Sequence, residues 1–191
     1  MEREEMLAKL KGKLNSKRYV HSVGVEYTAA CLAFKYGEDV KKARVAGLIH
    51  DCAKCIPTDE KLKKAEKLRL PISECERLSP DLLHGKLGAY YAKKWFGVTD
   101  PEILSAITYH TTGKPDMTLL EKIIFVADYI EPNRKIIFEL PEIRKEAFED
   151  IDKAVCHILK NTLDYLDGKT DIIDDMTEKT YRFYINQEGR E

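Results

Sequence analysis

No run of alternating apolar and polar residues long enough to read as a strand occurs in this sequence, which argues against a sheet-based architecture. Nor is there an apolar stretch near the roughly 18 residues a membrane-crossing helix needs, or an apolar export-type segment at the start. The expectation is a cytoplasmic protein with no membrane partner. Charge of one sign is also missing: Lys and Arg number 32, Asp and Glu 33, and the net charge is −1. A chain so balanced lacks the basic footprint of a nucleic-acid partner. Cysteine is confined to five scattered residues, Cys31, Cys52, Cys55, Cys75 and Cys156. An odd count without an export signal reads as free thiols. Cys52-Ala-Lys-Cys55 has C-x-x-C spacing, but no second pair completes a zinc ribbon and no βαβ pattern surrounds it.

What the sequence does have is helical periodicity almost throughout. With 191 residues, 43% hydrophobic and 34% charged, it is long enough for one soluble domain with a real core. The predicted fold class is all-α: a single domain over 1–191, with its core at about 16–167 and flanking helices in 1–15 and 170–191. Ser16 is placed to cap a helix that closes near Gly37, and a third helix runs from about Asp39 into His50-Asp51. Ser79-Pro80-Asp81 and Asp100-Pro101-Glu102 each set a cap, a first-position proline and an acid in order. Thr118-Leu119-Leu120-Glu121 reads as a capping box for a helix stopped by Pro132. Pro141 starts a short helix, a long one spans about Phe148 to Leu166 and ends at Gly168, and Met176 to Gln187 forms the last.

The chemistry lies in the histidines, of which there are five. His21 shares a helix face with Val25, Thr28 and Leu32, and His50 follows Ala43, Ala46 and Gly47. His84 precedes Leu87, Gly88 and Tyr91, while His110 follows Ile103, Ala106 and Ile107. Spacings of three, four and seven put each histidine on an apolar or small-residue stripe. Asp128, one turn beyond Ile124 and Phe125, behaves likewise, and Asp51 adjoins His50. His157 serves as a control, with Lys153, Ala154, Asn161 and Asp164 on a solvated face. A single inward histidine is ordinarily a hydrogen-bonded core residue. Four of them with two inward carboxylates would each need a partner on burial, and gathering them around metal satisfies all six together. Imidazole and carboxylate without thiolate suit Fe, Mn, Co, Ni or Zn. Six donors exceed the need of one ion, which favours a two-metal centre with Asp51 able to bridge.

The order His21, His50-Asp51, His84, His110, Asp128 resembles the HD-domain metal-dependent phosphohydrolases, in their two-metal form. Four segments are similar to the bacterial symmetrical diadenosine tetraphosphate hydrolases. They are Arg18-Tyr-Val-His21-Ser-Val-Gly-Val25, His50-Asp-Cys-Ala-Lys54, His110-Thr-Thr-Gly113 and Glu121-Lys-Ile-Ile-Phe-Val-Ala-Asp-Tyr-Ile-Glu-Pro-Asn-Arg134. The likeness runs from about Arg18 to Leu166. Two departures are visible: Lys135-Ile136-Ile137-Phe138 replaces a Phe-Pro-Gly-like turn, and Cys52 stands where an aromatic often follows the His-Asp pair.

The resemblance implies a helical bundle with the metals at its centre. His21, His50, Asp51 and Asp128 would hold one ion, and His84, His110 and the shared Asp51 the second, iron being the favoured metal. It further implies attack of a metal-bound hydroxide on phosphorus, splitting a dinucleoside tetraphosphate into two nucleoside diphosphates. Lys54, Arg134 and Arg18 lie close in sequence to Asp51, Asp128 and His21, where they can meet a polyphosphate; Asp51, Lys54 and Arg134 are the catalytic candidates. Thr111 and Thr112 are candidate phosphate contacts, and Tyr129, with Tyr19 and Tyr109 as alternatives, a candidate base-stacking surface. The partner expected is a small nucleotide, and a homodimer is compatible with the sequence. Three other readings stay open: an HD-type nucleotidase or cyclic nucleotide phosphodiesterase, a non-catalytic nucleotide-sensing module, and an interaction bundle without ligand.

Overall fold

The computed structural model describes residues 1–135, 139–167 and 174–188. Among the described residues all regular structure is helical. The helices are α1 Arg3–Lys11, α2 Ser16–Tyr36, α3 Val40–Ile49, α4 Thr58–Lys67, α5 Glu74–Leu78 and α6 His84–Phe96. They continue with α7 Pro101–Tyr109, α8 Leu119–Ile130, α9 Leu140–Glu149, α10 Ile151–Leu166 and α11 Asp175–Glu188. Two 3-10 turns, Cys52–Cys55 and Pro80–Leu83, lead into and out of the α4–α5 region.

Local chemistry accounts for most boundaries. Asp39 accepts from the amides of Lys41 and Lys42, and Asp100 from those of Glu102 and Ile103, so α3 and α7 begin where their caps predict. The Thr118–Glu121 capping box forms, and α8 stops ahead of Pro132. Three expectations are corrected. Asn15, not Ser16, caps α2, its side chain accepting from the Arg18 amide at 2.8 Å. Ser79 makes no side-chain cap; Pro80–Leu83 is a 3-10 turn that feeds straight into α6 at His84. The long helix predicted from Phe148 is interrupted at Asp150, where extended backbone (φ −148°, ψ 107°) ends α9 and the Asp150 carboxylate caps α10. Helix α5, with its Ser73–Glu76 capping box, was not anticipated. The expected stop at Gly168 and the substituted segment at Ile136–Phe138 lie outside the described residues.

Helices α2, α3, α7 and α8 pack together around a buried cluster that includes Val25, Leu32, Ile49, Ile107, Ile124 and Val126. Burial of each such side chain contributes about 1.5–3 kcal/mol. Small residues let the helices that carry histidines approach closely. At Gly85 on α6, a Cβ would lie 2.5 Å from the Thr108 carbonyl of α7, so only glycine permits this contact. The consequence is positional: α6 is pressed against α7 so that His84 and His110 meet.

Candidate metal centre

The candidate donors come from five helices, mostly at their ends. His50 and His110 cap the C-termini of α3 and α7, and His84 is the first residue of α6. His21 lies in the second turn of α2 and Asp128 in the last turn of α8. Two helix C-termini thus point into the site, and their partial negative charge favours a cation there. His21, His50, Asp51, His84 and His110 are all buried, none more than 7% exposed.

The donor atoms fall into two groups that share Asp51. In the first, His21 Nε2 lies 3.3 Å from His50 Nε2 and 3.0 Å from Asp128 Oδ1, with Asp51 Oδ2 at 3.8 Å and 3.5 Å from the two imidazoles. In the second, His84 Nε2 and His110 Nε2 are 3.0 Å apart, and each lies 3.5 Å from Asp51 Oδ1. The groups adjoin: His50, His110 and Asp128 also present donor atoms within 4.8 Å of one another.

Hydrogen bonding at the far side of each ring fixes which nitrogen faces inward. His50, His84 and His110 Nδ1 donate to the carbonyls of Gly47, Asp81 and Ile107 at 2.7, 2.5 and 2.7 Å. A carbonyl only accepts, so Nδ1 carries a proton and Nε2 is the nitrogen turned inward, where it can offer a lone pair to an ion. Two such lone pairs at 3.0 Å repel unless a cation sits between them. Asp51 Oδ1, which faces this pair, is buried without any hydrogen-bond partner. A buried carboxylate oxygen without a donor is costly, and a divalent ion would satisfy the oxygen and both nitrogens together. The residues therefore fit a metal.

The electrostatics of the groups differ. Burial disfavours charge on His50, but Asp51 and Asp128 outweigh it and raise its pKa to about 10. Burial and the neighbouring His110 depress His84 to about 3. Both Asp51 and Asp128 stay ionised well below the usual carboxylate range despite burial, held by the imidazoles around them.

The candidate substrate residues divide similarly. Arg18 Nη1 reaches Asp51 Oδ2 at 2.5 Å, and Arg134 holds Asp128 through its carboxylate at 3.2 Å and its carbonyl at 2.9 Å. Both arginines, with His21 and Tyr129, line a cavity of about 830 Å³. Lys54 instead pairs with Asp81 at 2.6 Å, alongside the buried Lys61. Thr111 Oγ1 lies 3.0 Å from His84 Nε2, whereas the Thr112 hydroxyl turns onto the Gly113 carbonyl. Both threonines and Tyr109 line a second cavity of about 460 Å³. Tyr19 packs against the core. His157 stands apart from the donors but is not on a solvated face: it is half-buried, 2.8 Å from Glu146. Sequence reasoning also passed over Glu131, whose buried carboxylate lies 3.1 Å from His21 Nδ1. Its only signal was its position three residues past Asp128. Cys52 and Cys55 are free thiols on the 3-10 turn, and burial pushes the Cys52 thiol up.

An all-helical bundle with His and Asp donors gathered between its helices defines the HD-domain class, and the HD domain family matches residues 18–133. The symmetrical bis(5'-nucleosyl)-tetraphosphatase of Bacillus subtilis is 42% identical over 97% of this chain and 99% of its own. That of Staphylococcus aureus is 36% identical over 100% of this chain and 97% of its own. A crystal structure from Clostridium acetobutylicum, described as a predicted HD superfamily hydrolase involved in NAD metabolism, superposes with a TM-score of 0.94. It is 39% identical and covers 98% of both chains. The chain belongs to the HD-domain family and, within it, to the family of these symmetrical tetraphosphatases.

Proposed function

We propose that this protein is a metal-dependent hydrolase that cuts dinucleoside tetraphosphates at the centre, taking diadenosine tetraphosphate to two ADP. The observation that carries the reading is Asp51, whose two oxygens face separate imidazole pairs within a complete six-residue donor set. Family membership supports the substrate class, since full-length relatives carry that activity in their names.

His21, His50, Asp51 and Asp128 would hold one divalent ion and His84, His110 and Asp51 another, iron being favoured and manganese, cobalt, nickel or zinc compatible with the donors. When bound, such ions supply Lewis acidity and lower the pKa of water toward neutrality. The protein's own share is to orient and to charge-match. Carbonyl contacts at Nδ1 fix three imidazoles with Nε2 inward, and buried walls keep bulk water from the donors. Arg18 and Arg134, at the rim and partly exposed, exchange their carboxylate partners for phosphate oxygens when the polyphosphate enters, as a planar guanidinium is suited to do. Lys54 adds positive charge beside Asp81 and is the weaker candidate, being already paired. Thr111 would turn from His84 Nε2 to donate to a phosphate oxygen at the second imidazole pair, and Thr112 would have to leave the Gly113 carbonyl to do so. A substrate with a nucleoside at each end needs a recess on both sides of the cut. The cavities beside His21 and beside Thr111 offer two, with Tyr129 as stacking surface in the first and Tyr109 in the second.

We also propose that residues 1–191 act as one HD domain, that it works in the cytoplasm on a small nucleotide, and that a homodimer is compatible with this activity. Among the described residues no helix is long and apolar enough to cross a membrane. Purified protein loaded anaerobically with ferrous iron, or with manganese, should turn diadenosine tetraphosphate into ADP alone. Release of ATP with AMP would overturn central cleavage, and no turnover with any divalent metal would overturn the enzyme reading.

A further inference from the structure

We infer that Glu131 is a positioning residue of the metal centre: it holds His21 in the one tautomer that can bind an ion. Three of the four gathered histidines are braced by a main-chain carbonyl three residues earlier in the chain. His21 is not, because it sits inside α2, where the neighbouring carbonyls are taken by the helix itself. Its brace comes from 110 residues away, Glu131 Oε1 at 3.1 Å from Nδ1. A carboxylate accepts and does not donate, so Nδ1 keeps a proton against Glu131, and Nε2, which faces Asp128 Oδ1 at 3.0 Å, is the nitrogen that can give up its proton to an ion.

The surroundings are built to keep that carboxylate in place. Its other oxygen accepts from the Asn133 amide at 2.7 Å and from Asn133 Nδ2 at 3.0 Å. Arg144 donates to the Glu131 and Ile130 carbonyls at 2.9 Å each, fixing the backbone beneath it. Gly24, one turn along α2 from His21, leaves the space it occupies: a Cβ there would lie 2.4 Å from Glu131 Oε2. Glu131 is 1% exposed and its carboxylate oxygens are engaged by His21 and Asn133, so a role in binding phosphate directly does not account for it. A buried negative charge aimed at a ligand's rear nitrogen makes that imidazole a better donor, and losing such a partner typically weakens metal binding about 10–100-fold.

The test is metal binding and ring tautomer, read without substrate. Long-range ¹⁵N–¹H spectra should show a proton on His21 Nδ1, and Glu131→Ala should shift the ring toward the form protonated at Nε2 alone. Competition with a chelating dye should show manganese bound about 10–100-fold more weakly by Glu131→Ala. Glu131→Gln, which keeps shape and acceptor but not charge, should fall between Glu131→Ala and the wild type. Asn133→Ala, which loosens only the far oxygen, should lose least. Wild-type manganese affinity in a folded Glu131→Ala, or a His21 without a proton on Nδ1 in the wild type, overturns the inference. Failure of the wild type to bind metal would instead overturn the metal reading on which this one rests.

Discussion

The two imidazole pairs of the centre are built on different principles. The His21–His50 pair is rich in anions, with Asp128, one oxygen of Asp51 and, behind His21, Glu131. It sits under two arginines and beside the larger cavity. The His84–His110 pair faces the other Asp51 oxygen, with braces made of main-chain carbonyls and a threonine hydroxyl beside His84. The proton balance follows the anions: His50 is raised to about 10 and His84 lowered to about 3. The first pair can hold a proton where an ion would sit, whereas the second presents opposed lone pairs and an oxygen without a donor. The anion-rich pair is thus the better charge match for a divalent ion, and the second relies on Asp51 to complete its set.

Asp51 is where the comparison can be broken most severely, because it belongs to both pairs. Asp51→Ala should empty both metal positions and lower turnover by more than the roughly 10–100-fold expected from losing a partner behind one ligand. Metal content by mass spectrometry, set beside the rate of ADP release, reads this directly. Retained turnover would mean that the pairs do not share a carboxylate. A step below this, His110→Ala should remove the second position alone, leaving about one equivalent of metal and turnover down by roughly 100-fold. His21→Ala should lose the more tightly held equivalent. Both variants should keep about one equivalent, and equal affinity for it in the two would erase the difference drawn between the pairs.

Much of this was legible in the sequence for a specific reason. Histidines on small-residue stripes point inward, and inward histidines need partners, so the sequence alone groups His21, His50, His84 and His110. The caps at Asp39, Asp100 and Thr118 could likewise be read, since capping is a short-range exchange between side chain and amide. Contacts that depend on tertiary approach were not legible. Glu131 looks like a helix-ending acid before a proline until Gly24 of α2 is seen to make room for it. Lys54 looks free until Asp81, 27 residues on, is brought beside it. The division at Asp150 was hidden because apolar spacing runs through it, and only the extended backbone reveals two helices.

Substrate recognition should sharpen the contrast at moderate cost. Arg134→Ala and Arg18→Ala each remove one charge-assisted contact, worth about 1.5–3 kcal/mol. KM for diadenosine tetraphosphate should rise by about 10–100-fold, with kcat changed less. Thr111→Val, on the side of the second pair, removes a neutral hydroxyl worth about 1 kcal/mol, a change of several-fold. Steady-state kinetics on the three variants orders the two sides. A larger effect from Thr111 than from the arginines would reverse the assignment of the polyphosphate to the arginine rim.

The smallest expected effect belongs to the histidine outside the centre. His157 Nδ1 contacts the buried Glu146 at 2.8 Å, and Lys153 reaches the same carboxylate at 3.0 Å. Burial alone would raise the Glu146 pKa, but these two partners outweigh it and lower it. A carboxylate depressed in the folded state stabilises above its unfolded pKa, about 4.3, and that contribution fades as pH falls through the lower folded value. Glu146→Gln should therefore cost about 1 kcal/mol near pH 7, or roughly 2–4 °C in Tm. The gap should close as pH falls below the unfolded pKa and through the lower folded one. His157→Ala should leave metal content untouched, in contrast to any of the four gathered histidines. The distinction is between a histidine held by one structural carboxylate and four histidines whose inward nitrogens are gathered with Asp51 and Asp128. A loss of metal in His157→Ala would show that α10 helps to shape the centre through α8, against which it packs.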